Sequence, residues 1–461
     1  MTLIKSISGI RGTIGNEPGN NLTPIDIVKF VSSFGIWTKK QAKSDQNKIV
    51  IGRDARPSGN MIEQIATGTL IGLGFEVIDL GLAATPTVEI AVTEEQADGG
   101  IILTASHNPI EWNALKLLNK KGEFLNNEEG NEVLQIAEQQ KFRYSPIENL
   151  GNVIKKDYLK VHTDKILSLP LVDRQKIAEA NFSVVVDGIN SVGGIAIPEL
   201  LRSLGVENIT KINCDPSGYF AHNPEPLPDN LTAITEAVKS SNADLGIVVD
   251  PDVDRLAFID EKGNMFGEEY TIVAVADFIL SKKPGNTVSN LSSTKALKEL
   301  TEKYGGKYTP SAVGEINVIE KMKDTEAIIG GEGNGGVIYP ELHYGRDALV
   351  GVALFLTFLA EIGLKCSALR KKYPDYHISK NKIQLDKQTN IEKILTALKE
   401  KYSDYPLNTE DGLKIEFTGG WVHLRKSNTE PIIRVYSEGN DKKITEELSQ
   451  KIIHEAQSLS S

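Results

Sequence analysis

Short runs of β-branched and apolar residues alternate with longer stretches of helical periodicity, and this alternation constrains the fold more than any other feature. "KIVIGRD", "FEVIDLG", "GGIILTASHNP", "FSVVVDGINSVGG" and "LGIVVDPDVDR" are such runs. The pattern predicts an α/β architecture, in which parallel strands are covered by helices. Each run meets Gly, Asp or Asn at its end, so polar residues collect at the carboxyl ends of strands. Ligands of α/β sheets usually bind there.

A chain of 461 residues is too long for one ordinary core. Breaks are expected at the polar stretch Gly151–Asp157, after the strand pair near Asp260–Asn264, and at "KKYPDYHISKNK", where Pro374 interrupts the helical pattern. They divide the chain into 1–153, 154–261, 262–374 and 375–461. The first three segments share a rhythm of strand, polar turn and helix. In the last, "DGLKIEF", "WVHLRKS" and "IIRVYSE" read as antiparallel strands, with helices at Ile391–Tyr402 and Lys443–Ser458, so a smaller α+β module is expected.

Several function classes fall away. A net charge of −11, with 51 basic against 62 acidic residues, argues against a nucleic-acid surface, which needs clustered Lys and Arg. The most apolar segment, "ALVGVALFLTFLA" from Ala348 to Ala360, is shorter than the ~20 residues that span a bilayer and runs into Glu361. It predicts a buried helix and no membrane association. Cys214 and Cys366 form no CxxC pair, which indicates neither a disulfide framework nor a zinc site. The opening "MTLIKSISGIRGT" lacks the features of a signal peptide, and a cytoplasmic location is expected.

"DPDVDR" carries the strongest chemical signal. Asp250, Asp252 and Asp254 follow the apolar run "LGIVV". Alternate residues of an extended chain point the same way about 7 Å apart, and a bend brings three carboxylates onto one ion. Oxygen-only ligation selects a hard cation such as Mg²⁺. A solvated acidic turn is the competing explanation. An EF-hand loop fails, because its sixth position is Arg255 rather than Gly and both flanks are strand-like. A haloacid-dehalogenase type of phosphatase would need Thr or Val at Asp254 and is a weak rival.

Ser106 stands at the lip of another strand, in "TASHNP", without a GxSxG elbow around it. A surface turn would account for it alone; beside a magnesium-binding cluster, a phosphorylated serine makes chemical sense, since the cation neutralises its charge. "GGEGNGG", from Gly330 to Gly336, sets Glu332 and Asn334 among glycines that let backbone approach a ligand. "RKSNTEPIIR", from Arg425 to Arg434, offers two guanidinium forks with hydroxyl and amide donors, the chemistry of a phosphate cradle. "GIRGT" and "GRDARPSG" add arginines on glycine loops.

In this order and spacing, "GIRGT", "TASHNP", "DPDVDR", "GEGNGG" and "RKSNTEP" resemble the α-D-phosphohexomutase superfamily over essentially the whole chain. The resemblance implies four domains around a central cleft, three related mixed α/β domains and a fourth of different fold. It makes Ser106 the phosphoserine that gives and takes back a phosphoryl group, with His107 and Asn108 on its loop and Lys116 aiding proton transfer. Asp250, Asp252 and Asp254 match Mg²⁺ ligands, joined by an oxygen of the phosphoserine at Ser106. Arg11 and Arg255 match arginines facing the transferring group. Glu332 and Asn334 would touch sugar hydroxyls; Arg425, Ser427, Asn428, Thr429 and Arg434 would hold the phosphate that does not react.

The implied reaction is a double transfer through a hexose 1,6-bisphosphate, which also serves as activator. Asn334, Gly336 and the "SNTEP" string resemble the archaeal-type branch of the superfamily. The expected substrate is glucosamine phosphate, interconverted between its 6- and 1-phosphates, with glucose or mannose phosphates as the alternative. A sugar phosphatase and a non-catalytic sugar-phosphate-binding protein are more remote alternatives. The partner is a small sugar phosphate, and both monomer and homodimer are open.

Overall fold

The computed structural model describes residues 2–6, 9–41, 47–384, 390–427 and 432–459. They form two compact units, one reaching to Phe278 and including Asn334–Ser367, the other comprising Ile279–Gly333 and the residues from Ala368 onward.

The first unit holds a seven-stranded mixed sheet. Its order is Ile4–Ser6, Gly9–Thr13, Trp112–Asn119, Gly99–Leu103, Lys48–Arg53, Glu76–Leu82 and Asn152–Lys155. The last four run parallel, and Trp112–Asn119 joins them antiparallel. Ile49, Ile51, Val77, Ile101 and Leu103 project onto one apolar core with Phe30, Phe34 and Leu70 from the helices Pro24–Gln41 and Gly59–Gly72. The register sets Lys116 opposite Ile102 and Arg11 opposite Ala114. Both cations therefore lie near the carboxyl end of Gly99–Leu103, where the chain turns into Thr104–Ser106.

A second sheet of this unit, in the order Leu256–Asp260, Leu245–Val249, Ser183–Asp187 and Asn208–Ile212, is parallel except for its first strand. Val249 pairs with Leu256, so "DPDVDR" is the turn of a hairpin whose two strands are wholly buried. The apolar segment is a buried helix, Ala348–Ile362, as expected. Asp347 caps its start, accepting from Leu349 N at 2.8 Å, and Gly363 closes it at φ 63°. Phe355 of this helix stacks on Phe258 at 3.8 Å between ring centroids, which seats the helix on the hairpin. Among the described residues no helix is long and apolar enough to cross a membrane.

The second unit contains the parallel strands Tyr308–Ser311, Asn286–Asn290 and Ala327–Glu332. It also contains a five-stranded antiparallel sheet in the order His377–Gln384, Ile432–Gly439, Gly420–Lys426, Leu413–Phe417 and Leu407–Asn408. Helices Ile391–Lys401 and Lys442–Ser458 cover that sheet over a core including Leu398, Ile415, Leu424, Val435 and Ile452. The strand His377–Gln384 lies where the sequence indicated only a break. It is a sheet edge with one buried residue, Ile383, so "HISKNKIQ" carries no apolar alternation to betray it.

Candidate active site

The site in the first unit is built from strand ends and turns. Gly99–Leu103 delivers Ser106 with φ 49°, a left-handed backbone uncommon for a side-chain-bearing residue. Its hydroxyl donates to Asp250 Oδ2 at 2.8 Å, and the two residues are 144 apart in sequence. Within the hairpin turn, Val253 is also left-handed, at φ 62°, although it is β-branched and fully buried. Such a conformation persists only where surroundings impose it. Here the turn directs the carboxylates of Asp250, Asp252 and Asp254 inward, each fully buried, with one oxygen of each within 4.8 Å of the others.

Each carboxylate is held differently. Asp250 Oδ1 accepts from the backbone N–H groups of Asp254 at 3.1 Å and Arg255 at 3.2 Å. Asp252 Oδ2 accepts from Thr85 Oγ1 at 2.6 Å and Lys116 Nζ at 2.7 Å. Asp254 Oδ2 accepts from Arg346 at 2.6 Å. Asp252 Oδ1 and Asp254 Oδ1 are buried without any hydrogen bond. Such atoms are costly to desolvate, and two of them in an oxygen-only cluster fit a hard divalent cation.

The electrostatics follow from this crowding. Burial, followed by the charges of Asp254 and Asp252, pushes Asp250 well above the usual carboxylate range. Burial acts on Asp252 too, but the Lys116 ammonium and the Thr85 hydroxyl outweigh it and hold that group below its ordinary value. Burial opposes the charge on Lys116, yet Asp252 and Asp254 raise it. His107, whose Nδ1 is 3.5 Å from Ser106 Oγ, is held well below the imidazole range by Arg255 first, then burial, Arg11 and Arg346. Arg11 donates to Asn108 Oδ1 at 3.2 Å. The buried Nε of Arg255 makes no hydrogen bond and lies 3.9 Å from both Asp250 and Asp254.

The structure thus brings together Ser106, His107, Lys116, Arg11, Arg255 and the three aspartates. Asn334 belongs to the same unit, its Oδ1 accepting from Gly336 N at 3.2 Å. Glu332 belongs to the second unit. It is buried there and accepts from Asn290 Nδ2 at 2.7 Å and Gly314 N at 3.2 Å. In that unit Arg425 and Arg434 sit directly opposite each other on neighbouring strands, and Arg425 Nε is buried without a hydrogen bond. Like charges in that register are unfavourable unless an anion joins them. Ser427 follows on the same strand end, its N–H donating to Ile432 O at 3.0 Å. Asn428 and Thr429 lie outside the described residues.

Sequence reasoning missed Thr85 and Arg346. Thr85 follows the strand Glu76–Leu82, and polar residues at strand ends were the signal available. Arg346 immediately precedes the apolar helix, where a cation is conspicuous in "YGRDALVG".

Four family profiles match in sequence order, covering most of the chain. They are phosphoglucomutase/phosphomannomutase alpha/beta/alpha domains I, II and III, over residues 3–144, 160–263 and 267–376, and the C-terminal domain over 381–455. The chain belongs to the phosphoglucomutase/phosphomannomutase family. It is a phosphohexomutase, an intramolecular phosphotransferase with three mixed α/β domains and a smaller C-terminal one. A phosphoglucomutase/phosphomannomutase of Thermococcus kodakarensis is 36% identical over 97% of this phosphohexomutase and 98% of the relative. A phosphoglucosamine/phosphogalactosamine mutase of Sulfurisphaera tokodaii is 33% identical over 96% and 97%. Among solved structures, a phosphoglucomutase/phosphomannomutase family protein of Burkholderia thailandensis superposes with a TM-score of 0.86 at 24% identity, covering 99% of this chain and 97% of its own.

Proposed function

We propose that Ser106, as a phosphoserine, carries the phosphoryl group of a double transfer, and that the sugar is glucosamine phosphate. The observation that carries the mechanism is Ser106 Oγ at 2.8 Å from Asp250, beside buried oxygens of Asp252 and Asp254 that accept no hydrogen bond. In the forward step the bond from Ser106 Oγ to phosphorus breaks as the free hydroxyl oxygen of the hexose monophosphate bonds to phosphorus, and the proton lost by that hydroxyl is matched by one taken up at Ser106 Oγ. The resulting hexose 1,6-bisphosphate turns round and returns its other phosphate to Ser106. The same bisphosphate acts as activator by charging the serine.

Asp250, Asp252, Asp254 and an oxygen of the phosphoserine at Ser106 would hold Mg²⁺, which when bound neutralises and polarises the transferring group. Arg255 and Arg11 offer their guanidinium groups to phosphoryl oxygens; the unbonded Nε of Arg255 supports that role. Lys116, kept charged by Asp252 and Asp254, donates a proton to the departing Ser106 oxygen and recovers one from the attacking hydroxyl, and His107 shapes the same loop. Glu332 and Asn334 bind sugar hydroxyls. Arg425, Ser427, Asn428, Thr429 and Arg434 hold the second phosphate, and the opposed Arg425 and Arg434 support an anion there.

Glu332 is a buried carboxylate able to meet a C2 ammonium group as well as sugar hydroxyls. The Sulfurisphaera relative is named for amino-sugar phosphates. The Thermococcus relative is named for glucose and mannose phosphates, and that is the second reading. Phosphorus NMR with Mg²⁺ and a trace of matching bisphosphate compares glucosamine, glucose and mannose 6-phosphates side by side. The 1-phosphate signal is expected to grow fastest from glucosamine. Faster turnover of glucose or mannose phosphate would overturn the substrate assignment.

A further inference from the structure

Among the described residues Arg56 is the largest fully buried side chain, with 1% of its surface exposed. All five of its guanidinium N–H donors are committed, since Nε donates to Asp54 Oδ2 at 3.0 Å and the two terminal nitrogens serve four carbonyls. One reaches Pro109 O at 2.6 Å and Trp112 O at 3.1 Å. The other reaches Asn108 O at 2.7 Å and Ser106 O. No donor is left for a ligand, so Arg56 cannot act as a phosphate-binding arginine. Its effect passes through the loop it grips.

The other side of the Ser106 peptide is held by the same carboxylate. Ser106 N–H donates to Thr104 Oγ1 at 2.9 Å, and the Thr104 hydroxyl donates to Asp54 Oδ2 at 2.6 Å. The turn carrying Arg56 is tied in addition to the carboxylate hairpin. Ala55 N–H donates to Ser191 Oγ at 3.3 Å, which donates to Pro251 O at 2.6 Å. Phe220 covers the guanidinium face at 4.9 Å.

We propose that Arg56 is a positioning residue for phosphoryl transfer: with Asp54 and Thr104 it clamps the Ser106 peptide in its left-handed conformation, aiming Oγ at the aspartate cluster. A serine gains nothing intrinsically from that backbone and relaxes out of it once unclamped. Lysine offers three donors from a single point and cannot span four carbonyls and a carboxylate. The proposal rests on Ser106 being the phosphoryl carrier.

The test measures kcat, KM and the Mg²⁺ half-saturation point in Arg56→Lys, Thr104→Val and Ser106→Ala, with phosphoryl uptake from a hexose 1,6-bisphosphate followed by intact mass. Displacing a reacting atom by about 1 Å costs about 100-fold in rate, the loss expected of Arg56→Lys. Loss of the two hydrogen bonds of the Thr104 hydroxyl in Thr104→Val should cost about 10- to 100-fold. In both, KM stays within about 3-fold, which a general structural defect would not spare, while Mg²⁺ half-saturation rises as the Ser106 oxygen is misaimed. Wild-type kcat in Thr104→Val, or a rise in KM that parallels the loss of kcat, overturns the clamp, and Thr104→Val decides alone if Arg56→Lys does not fold. An inactive Ser106→Ala beside a fully active Thr104→Val removes only the clamp. An active Ser106→Ala removes the phosphoserine mechanism itself.

Discussion

Acidification from about pH 7.5 to about pH 5 is expected to cost the second unit about 2 kcal/mol through one side chain, His423. The ring is 1% exposed. Its Nε2 lies 2.7 Å from the carbonyl of Asp411, which can only accept, so Nε2 carries the proton and Nδ1 accepts from Ser292 Oγ at 2.9 Å. Burial lowers its pKa to about 4; the Lys414 and Arg425 charges reinforce this, and the Asp411 contact opposes it. An unfolded histidine titrates near 6.5. Because the folded value is the lower one, the unfolded state binds more protons between the two, and stability falls as pH drops through that window. A gap of about 2.5 units corresponds to about 3 kcal/mol in full, of which about 2 is already lost at pH 5.

The assay is urea unfolding followed by fluorescence of Trp421, with Trp37 and Trp112 replaced by Phe so that the signal reports this unit. His423→Gln takes up no proton in the range, and every other titrating group cancels in its comparison with the parent. The stability gap between the two should narrow by about 2 kcal/mol between the two pH values. A gap that stays constant would refute the buried neutral imidazole.

His343 carries the opposite sign. Burial works against its charge, but Asp347 and Glu89 raise it to about 10, so its stabilisation is complete below about pH 6.5 and is lost as pH rises through 10. A melting temperature of His343→Gln that converges on the wild type at high pH checks this. Mg²⁺ at 100-fold over its dissociation constant should stabilise the protein by about 2.7 kcal/mol, and Asp252→Asn should abolish that gain in thermal denaturation. Gly218→Ala should destabilise the first unit by at least about 2 kcal/mol in urea unfolding. A Cβ there would lie 1.9 Å from Ala55 O at a backbone φ of 74°.

The chemistry was legible wherever it sits within one short string. "DPDVDR" announced a carboxylate cluster, and the hairpin delivers one, because the flanking runs are apolar enough to be strands and too close together to be anything but adjacent. The left-handed Val253 that lets the turn aim all three acids could not be read, since nothing in a valine advertises φ 62°. Thr85 and Arg346 were invisible for a different reason: they reach Asp252 and Asp254 from elements 167 and 92 residues away in sequence. Arg56 lay inside the motif "GRDARPSG", where an arginine on a glycine loop suggested ligand binding. Only burial and the five occupied donors separate a clamp from a cradle.

Ser106 as phosphoryl carrier is the claim on which the mechanism turns, and one measurement bears on it directly. Protein incubated with hexose 1,6-bisphosphate and Mg²⁺, freed of ligand and mapped by mass spectrometry, should carry one phosphoryl group on the peptide containing Ser106. Addition of hexose monophosphate should discharge it into bisphosphate within a turnover. A phosphoryl group on another residue, or turnover without any phosphorylated protein, would contradict the account.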